Sequence, residues 1–165
     1  AGTDDMVQSY SADTKVNPPL RLTSDQEALI AGLCDGTIDA IATDHAPHHR
    51  DEKEVEYNSA LSGISGFETA FALCMDALVH AHHMTMEEFV QVACTNPAKI
   101  LGKNCGKLEV GRDADFIIAD IAKEWTVDRK EFVSKGKNTP FDGRTVHGRV
   151  LETYVGGKRI YKYED

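Results

Sequence analysis

Several features are missing from these 165 residues, and each absence removes a class of protein. There is no excess of positive charge. The formal net charge of −9 comes without a basic stripe, which argues against a nucleic-acid partner. No apolar run approaches the ~20 residues of a membrane span, and the N-terminus has no apolar signal region. No C-x-x-C pair occurs among Cys34, Cys74, Cys94 and Cys105, so neither a thiol redox motif nor a cysteine zinc site is indicated. Three of the four cysteines fall in apolar helical patterns and are expected to be buried, reduced thiols. A soluble, cytoplasmic chain is the expectation. Length also excludes something: a complete eight-stranded α/β barrel needs about 250 residues. The chain has no Met at position 1, and residues 1–14 are polar and aperiodic, as in a loop entered midway.

What is present centres on residues 37–49, TIDAIATDHAPHH. Ile38, Ala40, Ile41 and Ala42 form a short apolar run, predicting a strand over 38–44 covered on both faces. It ends in chemistry: Asp44, His45, His48 and His49 fall within six positions, and Pro47 stops the strand. An Asp at the C-terminal end of a parallel barrel strand is where such barrels place catalytic groups. A carboxylate and imidazoles also suit zinc. Residues on a strand and a proline turn diverge, however, so the reading is one ligand, Asp44, and one substrate-facing imidazole, His48. His45 and His49 are read as structural or exposed.

The surrounding pattern alternates helix and strand. KVNPPLR (15–21) has two prolines, so Asn17 is held extended or in a turn, with KVN read as the end of a preceding strand. A helix is predicted over 24–34, with Ser24 as N-cap, Glu27 completing a capping box, apolar Ala28, Leu29, Ala31 and Leu33, and Gly36 as the stop. Residues 45–66 read as a long functional loop whose charged part, 50–56, is solvated. Helical stripes follow over 66–79 and 85–94, the second with a Thr85/Glu88 capping box, and a short helix runs from Asn96-Pro97 to Gly102. His80, His82 and His83 imitate an H-x-H metal pair, but at a helix end positions i and i+2 do not face each other. From Gly106 the residues become β-formers, with Gly156-Gly157 as a two-residue hairpin.

Five blocks carry a family resemblance: KVNPPLR, ATDHAPHH (42–49), SGISGFETAF (62–71), GKLEVGRDADFIIAD (106–120) and SKGKNTPFDG (134–143). In this order they resemble the C-terminal part of dihydroorotases of the amidohydrolase superfamily. The TDHAPH form favours dihydroorotase over hydantoinases and allantoinases. The resemblance implies an α/β fold: a C-terminal portion of a (β/α)8 TIM barrel over 1–103, then part of a flanking β-sandwich over 104–165. It implies reversible zinc-dependent hydrolysis of dihydroorotate to N-carbamoyl-L-aspartate in pyrimidine biosynthesis. Asp44 would be both a zinc ligand and the general acid/base, passing a proton to the departing ring nitrogen. Asn17 and His48 would hold the substrate's carboxylate side. Ser62 and Gly63 would meet the ring through backbone groups, although the family often has a bulky apolar residue where Ser62 stands. The family's H-x-H pair, bridging Lys or Asp, and two further His are not present, so one or two zinc ions cannot be held by Asp44 alone. The expectation is a fragment, inactive by itself, that works with its missing N-terminal half, in a homo-oligomer or beside aspartate carbamoyltransferase. Two other readings are a hydantoinase- or allantoinase-like hydrolase and a non-catalytic assembly partner of that transferase.

Overall fold

The computed structural model describes residues 2–164 as an α/β arrangement, helical in its first part and ending in an antiparallel sheet. Residues Asp4–Ser9 and Ala12–Thr14 form 3-10 turns rather than a bare loop. They are anchored by Arg129, whose Nη1 lies 2.7 Å from Asp13 Oδ2. Helix α1 spans Thr23–Cys34. Its N-cap, Leu22, lies two residues earlier than the capping pattern predicts, because the Asp25 carboxylate rather than Glu27 reaches back to the Leu22 N–H. Its inward face differs in part: Leu33 packs on the core as expected, but Ile30 does so as well while Leu29 is exposed.

The expected strand over 38–44 is not found: the segment has no regular structure and forms no ladder. A ladder requires a neighbouring strand in register, and the described residues supply only an isolated parallel bridge between His45 and Ile64. Ala42, Thr43 and Asp44 are exposed, so burial on both faces is not found here. KVN likewise forms no strand. A short helix α2, Arg50–Lys53, is capped by His49, whose Nδ1 accepts the Asp51 N–H.

Helix α3 covers Phe67–Cys74 and continues as a π turn over Met75–His80. The predicted Thr85/Glu88 box is present in both directions, 3.3 and 2.7 Å, and opens helix α4, Met86–Val90. A π turn over Gln91–Thr95 joins α4 to α5, Asn96–Ile100. Pro97 has no N–H to give the preceding turn, and the ladder widens there.

Strands β1 (Phe116–Thr126), β2 (Thr145–Val155) and β3 (Lys158–Lys162) form one antiparallel sheet in that order. The register runs from Phe116 opposite Tyr154 to Thr126 opposite Thr145, with an extra residue in β2 opposite Ile118–Ala119 and extra residues in β1 between Asp120 and Glu124. Gly156 and Gly157 close the β2–β3 hairpin at φ of 56° and 75°, both in the left-handed region that a two-residue turn of this hand requires. Leu108 and Val110, read as strand residues, lie in an exposed irregular segment. Against the sheet's inner face, α3 contributes Ala72 and Leu73 to a core with Val127, Phe132 and Val146. A second cluster joins Met75, Leu78, Met84, Phe89 and Val92. At Gly148 a Cβ would stand 3.0 Å from Met75 Cγ, so the missing side chain lets helix and strand close.

Among the described residues no helix is long and apolar enough to cross a membrane. The cysteines are free, as expected, but Cys34, Cys94 and Cys105 are exposed and only Cys74 is half-buried. Their places in the fold turn those positions outward. Burial pushes the Cys74 thiol above its ordinary range, so less of it is the reactive thiolate at neutral pH. Alkylation with iodoacetamide near pH 8, followed by mass spectrometry, is expected to label Cys34 and Cys105 at least several-fold faster than Cys74. Equal rates would contradict this packing.

Candidate active site

Three chain segments that are distant in sequence lie side by side, and they carry every residue singled out above as a site residue. Residues 44–48 run beside 62–65 through the His45–Ile64 bridge and the Ala46 N–H to Ile64 O bond of 3.0 Å. Residues 15–17 join on the other side, where the Gly63 N–H donates to Lys15 O at 2.9 Å. Asp44 and Asn17 are both exposed, and neither side chain takes a hydrogen bond within the described residues. Asp44 has φ of 45°, a left-handed conformation that Asp and Asn tolerate better than other side chains. Backbone strain of this kind gathers at functional positions.

His48 is the most engaged of the four. Its Nε2 sits 2.9 Å from Ser62 O and its Nδ1 3.4 Å from Glu52 Oε2, while its backbone N–H donates to Asn138 Oδ1 at 2.9 Å. A protonated ring can donate at both nitrogens at once. Glu52 also accepts the His49 N–H, which is the largest influence holding its carboxyl below the usual range.

Gly63 requires a correction. Its N–H is taken by Lys15 O, and its carbonyl accepts from both Lys53 Nζ (3.2 Å) and Asn138 Nδ2 (2.9 Å). Its backbone groups are therefore spent inside the chain rather than left for a ligand. What the position needs is room: a Cβ would stand 2.7 Å from the His48 ring and from Ala46 O. Glycine lets the imidazole lie on the backbone. Ser62, by contrast, is exposed.

His45 proves structural. Its Nδ1 accepts the N–H groups of Gly66 and Phe67 at 3.0 and 3.2 Å, capping α3, and its ring stacks on Phe67 at 3.9 Å. The acceptor role at Nδ1 puts the proton of the neutral ring on Nε2. His49 is exposed at the start of α2. His80 faces Ile121 O, and His82, at φ of 60°, lies on the turn beyond the helix.

Two residues escaped the sequence reading. Lys53, assigned to a solvated charged stretch, is only 6% exposed, with its ammonium on the carbonyls of Lys15, Leu61 and Gly63. Burial pulls its pKa below the ordinary lysine value, with Asp13 opposing. Asn138, 4% exposed, links Ala46, His48, Gly63 and Ser65. A charged residue inside RDEKEVE gives no sign of burial, and only the SKGKNTPFDG block hinted at Asn138.

As to metal, no group of three or more His, Cys, Asp or Glu among the described residues could hold an ion. A zinc site takes three or four protein donors, and Asp44 offers one. The residues present do not by themselves fit a metal centre.

An α/β chain with an exposed aspartate on an irregular segment, beside a histidine and a glycine-backed loop, is the setting in which known relatives can be compared. The chain belongs to the amidohydrolase family, whose pattern matches residues 6–160. Over 160 residues it is 50% identical to a dihydroorotase of Acetivibrio thermocellus, covering 97% of this chain and 38% of that protein. It is 52% identical to a dihydroorotase of Thermoanaerobacter sp. (strain X514), again over 97% of this chain and 37% of the relative. Among solved structures, an L-hydantoinase (dihydropyrimidinase) from Arthrobacter aurescens superposes with a TM-score of 0.91 at 32% identity, over 98% of this chain and 37% of that one. A D-hydantoinase (dihydropyrimidinase) from Thermus sp. gives 0.83 at 26% identity, covering 94% and 36%. The chain thus spans well under half the length of the relatives it matches. The resemblance to dihydroorotases read from the five blocks holds.

Proposed function

We propose that this chain is the acid/base and substrate-binding portion of a dihydroorotase, the cyclic-amide hydrolase that opens dihydroorotate to N-carbamoyl-L-aspartate in pyrimidine biosynthesis. The observation that carries this is the convergence of Asn17, Asp44, His48 and Ser62 on three adjacent segments, together with about half identity to proteins of that name. Residues 1–103 are read as the last part of a (β/α)8 barrel and 104–165 as part of a flanking β-sandwich, in a cytoplasmic enzyme.

In the forward reaction, a water oxygen bonds to the ring amide carbonyl carbon and the C–N bond breaks. Asp44 takes the proton from the attacking water and returns it to the departing nitrogen, so the carboxylate is regenerated. Its exposure and freedom from internal hydrogen bonds leave both oxygens open to do this. Asn17 and His48 hold the substrate carboxylate, His48 by exchanging its contact with Ser62 O or Glu52. Ser62 borders the ring, with Gly63 behind it as the spacer for the imidazole.

The resemblance gives the parent enzyme zinc, with Asp44 as one donor; the remaining donors would come from outside the described residues. The parent is proposed to be a homo-oligomer. The test is turnover by the full-length enzyme carrying this sequence. Dihydroorotate is expected to be hydrolysed at least a hundredfold more efficiently than hydantoin or allantoin, and a preference for either of those would assign the chain to another branch of the family. In the same enzyme, His82→Ala is expected to leave zinc content and kcat unchanged, since that turn lies at the far end of α3 from the site. Loss of zinc measured by elemental analysis would contradict that placement.

A further inference from the structure

We propose that Asn138 and Lys53 are positioning residues for substrate binding, acting together on the carbonyl of Gly63 and so on the His48 ring and the Ser62 edge; this rests on the function proposed above. The surroundings of the Asn138 amide fix its orientation. Its Oδ1 faces the His48 N–H (2.9 Å) and the Ser65 hydroxyl (3.1 Å), while its Nδ2 faces the carbonyls of Ala46 (3.1 Å) and Gly63 (2.9 Å). Reversing the amide would set NH2 against the His48 N–H and oxygen against two carbonyls, so these three backbone neighbours fix the orientation, while the Ser65 hydroxyl, 2.8 Å from Gly136 O, could serve either one. The side chain is 4% exposed, which leaves no solvent to substitute for a lost partner.

Lys53 approaches the same carbonyl from the chain's other side. Its three ammonium protons meet three carbonyls, Leu61 at 2.9 Å, Gly63 at 3.2 Å and Lys15 at 3.3 Å. Gly63 O therefore receives a donor on each lone pair, one from α2 and one from residue 138. The two donors fix residues 61–63 between the segment carrying Asn17 and the one carrying Asp44 and His48. Ser62 O, held between these two anchored carbonyls, is what His48 Nε2 contacts at 2.9 Å. Neither Asn138 nor Lys53 is assigned any contact with substrate; each acts through Gly63 and its neighbours.

Asn138→Asp keeps the shape and the acceptor but faces two carbonyls with an oxygen. Lys53→Met keeps the stem and removes all three donors. In the zinc-loaded, full-length enzyme, each is expected to raise KM for dihydroorotate by about tenfold, with kcat per folded enzyme changed less than about threefold, as loss of uniform binding requires. Because both act on one carbonyl, the double variant is expected to raise KM well short of the product of the single effects. Thermal melting and zinc content are measured alongside, and a purely structural role would lower Tm while leaving KM in place. Unmoved KM in Lys53→Met, or a fall in kcat with KM unchanged, overturns the inference even if Asn138→Asp fails to fold. A wild-type enzyme that does not hydrolyse dihydroorotate overturns the underlying function and this inference with it. An active wild type with unmoved KM in the variants overturns this inference alone.

Discussion

Asp44→Asn in the full-length enzyme is expected to abolish dihydroorotate hydrolysis, lowering kcat by about a thousandfold or more. Asparagine is the informative replacement because residue 44 has φ of 45°. Asn accepts that left-handed conformation almost as well as Asp, whereas Ala adds strain of its own. In the Asp44→Asn variant the loop therefore keeps its path through the His45–Ile64 bridge and loses the carboxylate that carries the proton and serves as a zinc donor. Asp44→Ala is expected to be equally inactive and also less stable. Initial rates, with melting curves for both variants, separate the two effects. Turnover within tenfold of wild type in Asp44→Asn would remove Asp44 from the chemistry.

A second large effect concerns the chain by itself. Purified without further polypeptide, it is expected to show no turnover and to self-associate. Large side chains stand in solvent where a folded surface ordinarily covers them: Phe67 at 67%, Leu108 at 72% and Val133 at 91% exposure. Large apolar side chains left this exposed are covered by another polypeptide or favour self-association. The segment 42–44 is also exposed and belongs to no ladder, which leaves its backbone open to a partner. Light scattering after size exclusion measures self-association, and a rate assay measures turnover. A monodisperse, cooperatively melting monomer would contradict this reading of the surface.

How far the sequence revealed the structure depended on whether a feature was local. The Thr85/Glu88 cap and the Gly156-Gly157 turn are set by residues within a few positions, and both appear as read. The helix over 24–34 also appears, but its cap moved to Leu22 with Asp25 as partner, and Ile30 joins the expected Leu33 on the inner face in place of Leu29, since packing partners choose the face. The strand expected over 38–44 is absent because a ladder depends on neighbours that periodicity cannot supply.

At the site, the motif identified the segment with Asp44 and His48, yet three surrounding details were not legible. Lys53 is buried by carbonyls from residues 15, 61 and 63, and nothing in a run of charges encodes that. Asn138 meets its partners across 73 to 92 positions of sequence. Gly63 was expected to face the ligand with its backbone, but the same two side chains and Lys15 occupy it. A short motif shows which groups can do chemistry; which of them are already engaged is settled by long-range contacts.

The central claim is that this chain contributes Asp44 to a centre completed by residues outside it. Native mass spectrometry of the species that hydrolyses dihydroorotate tests this most directly. The predicted result is an active species heavier than the 18.1 kDa of this chain by further polypeptide and by zinc. An active species with the mass of this chain alone, or of whole-number multiples of it, would contradict the claim.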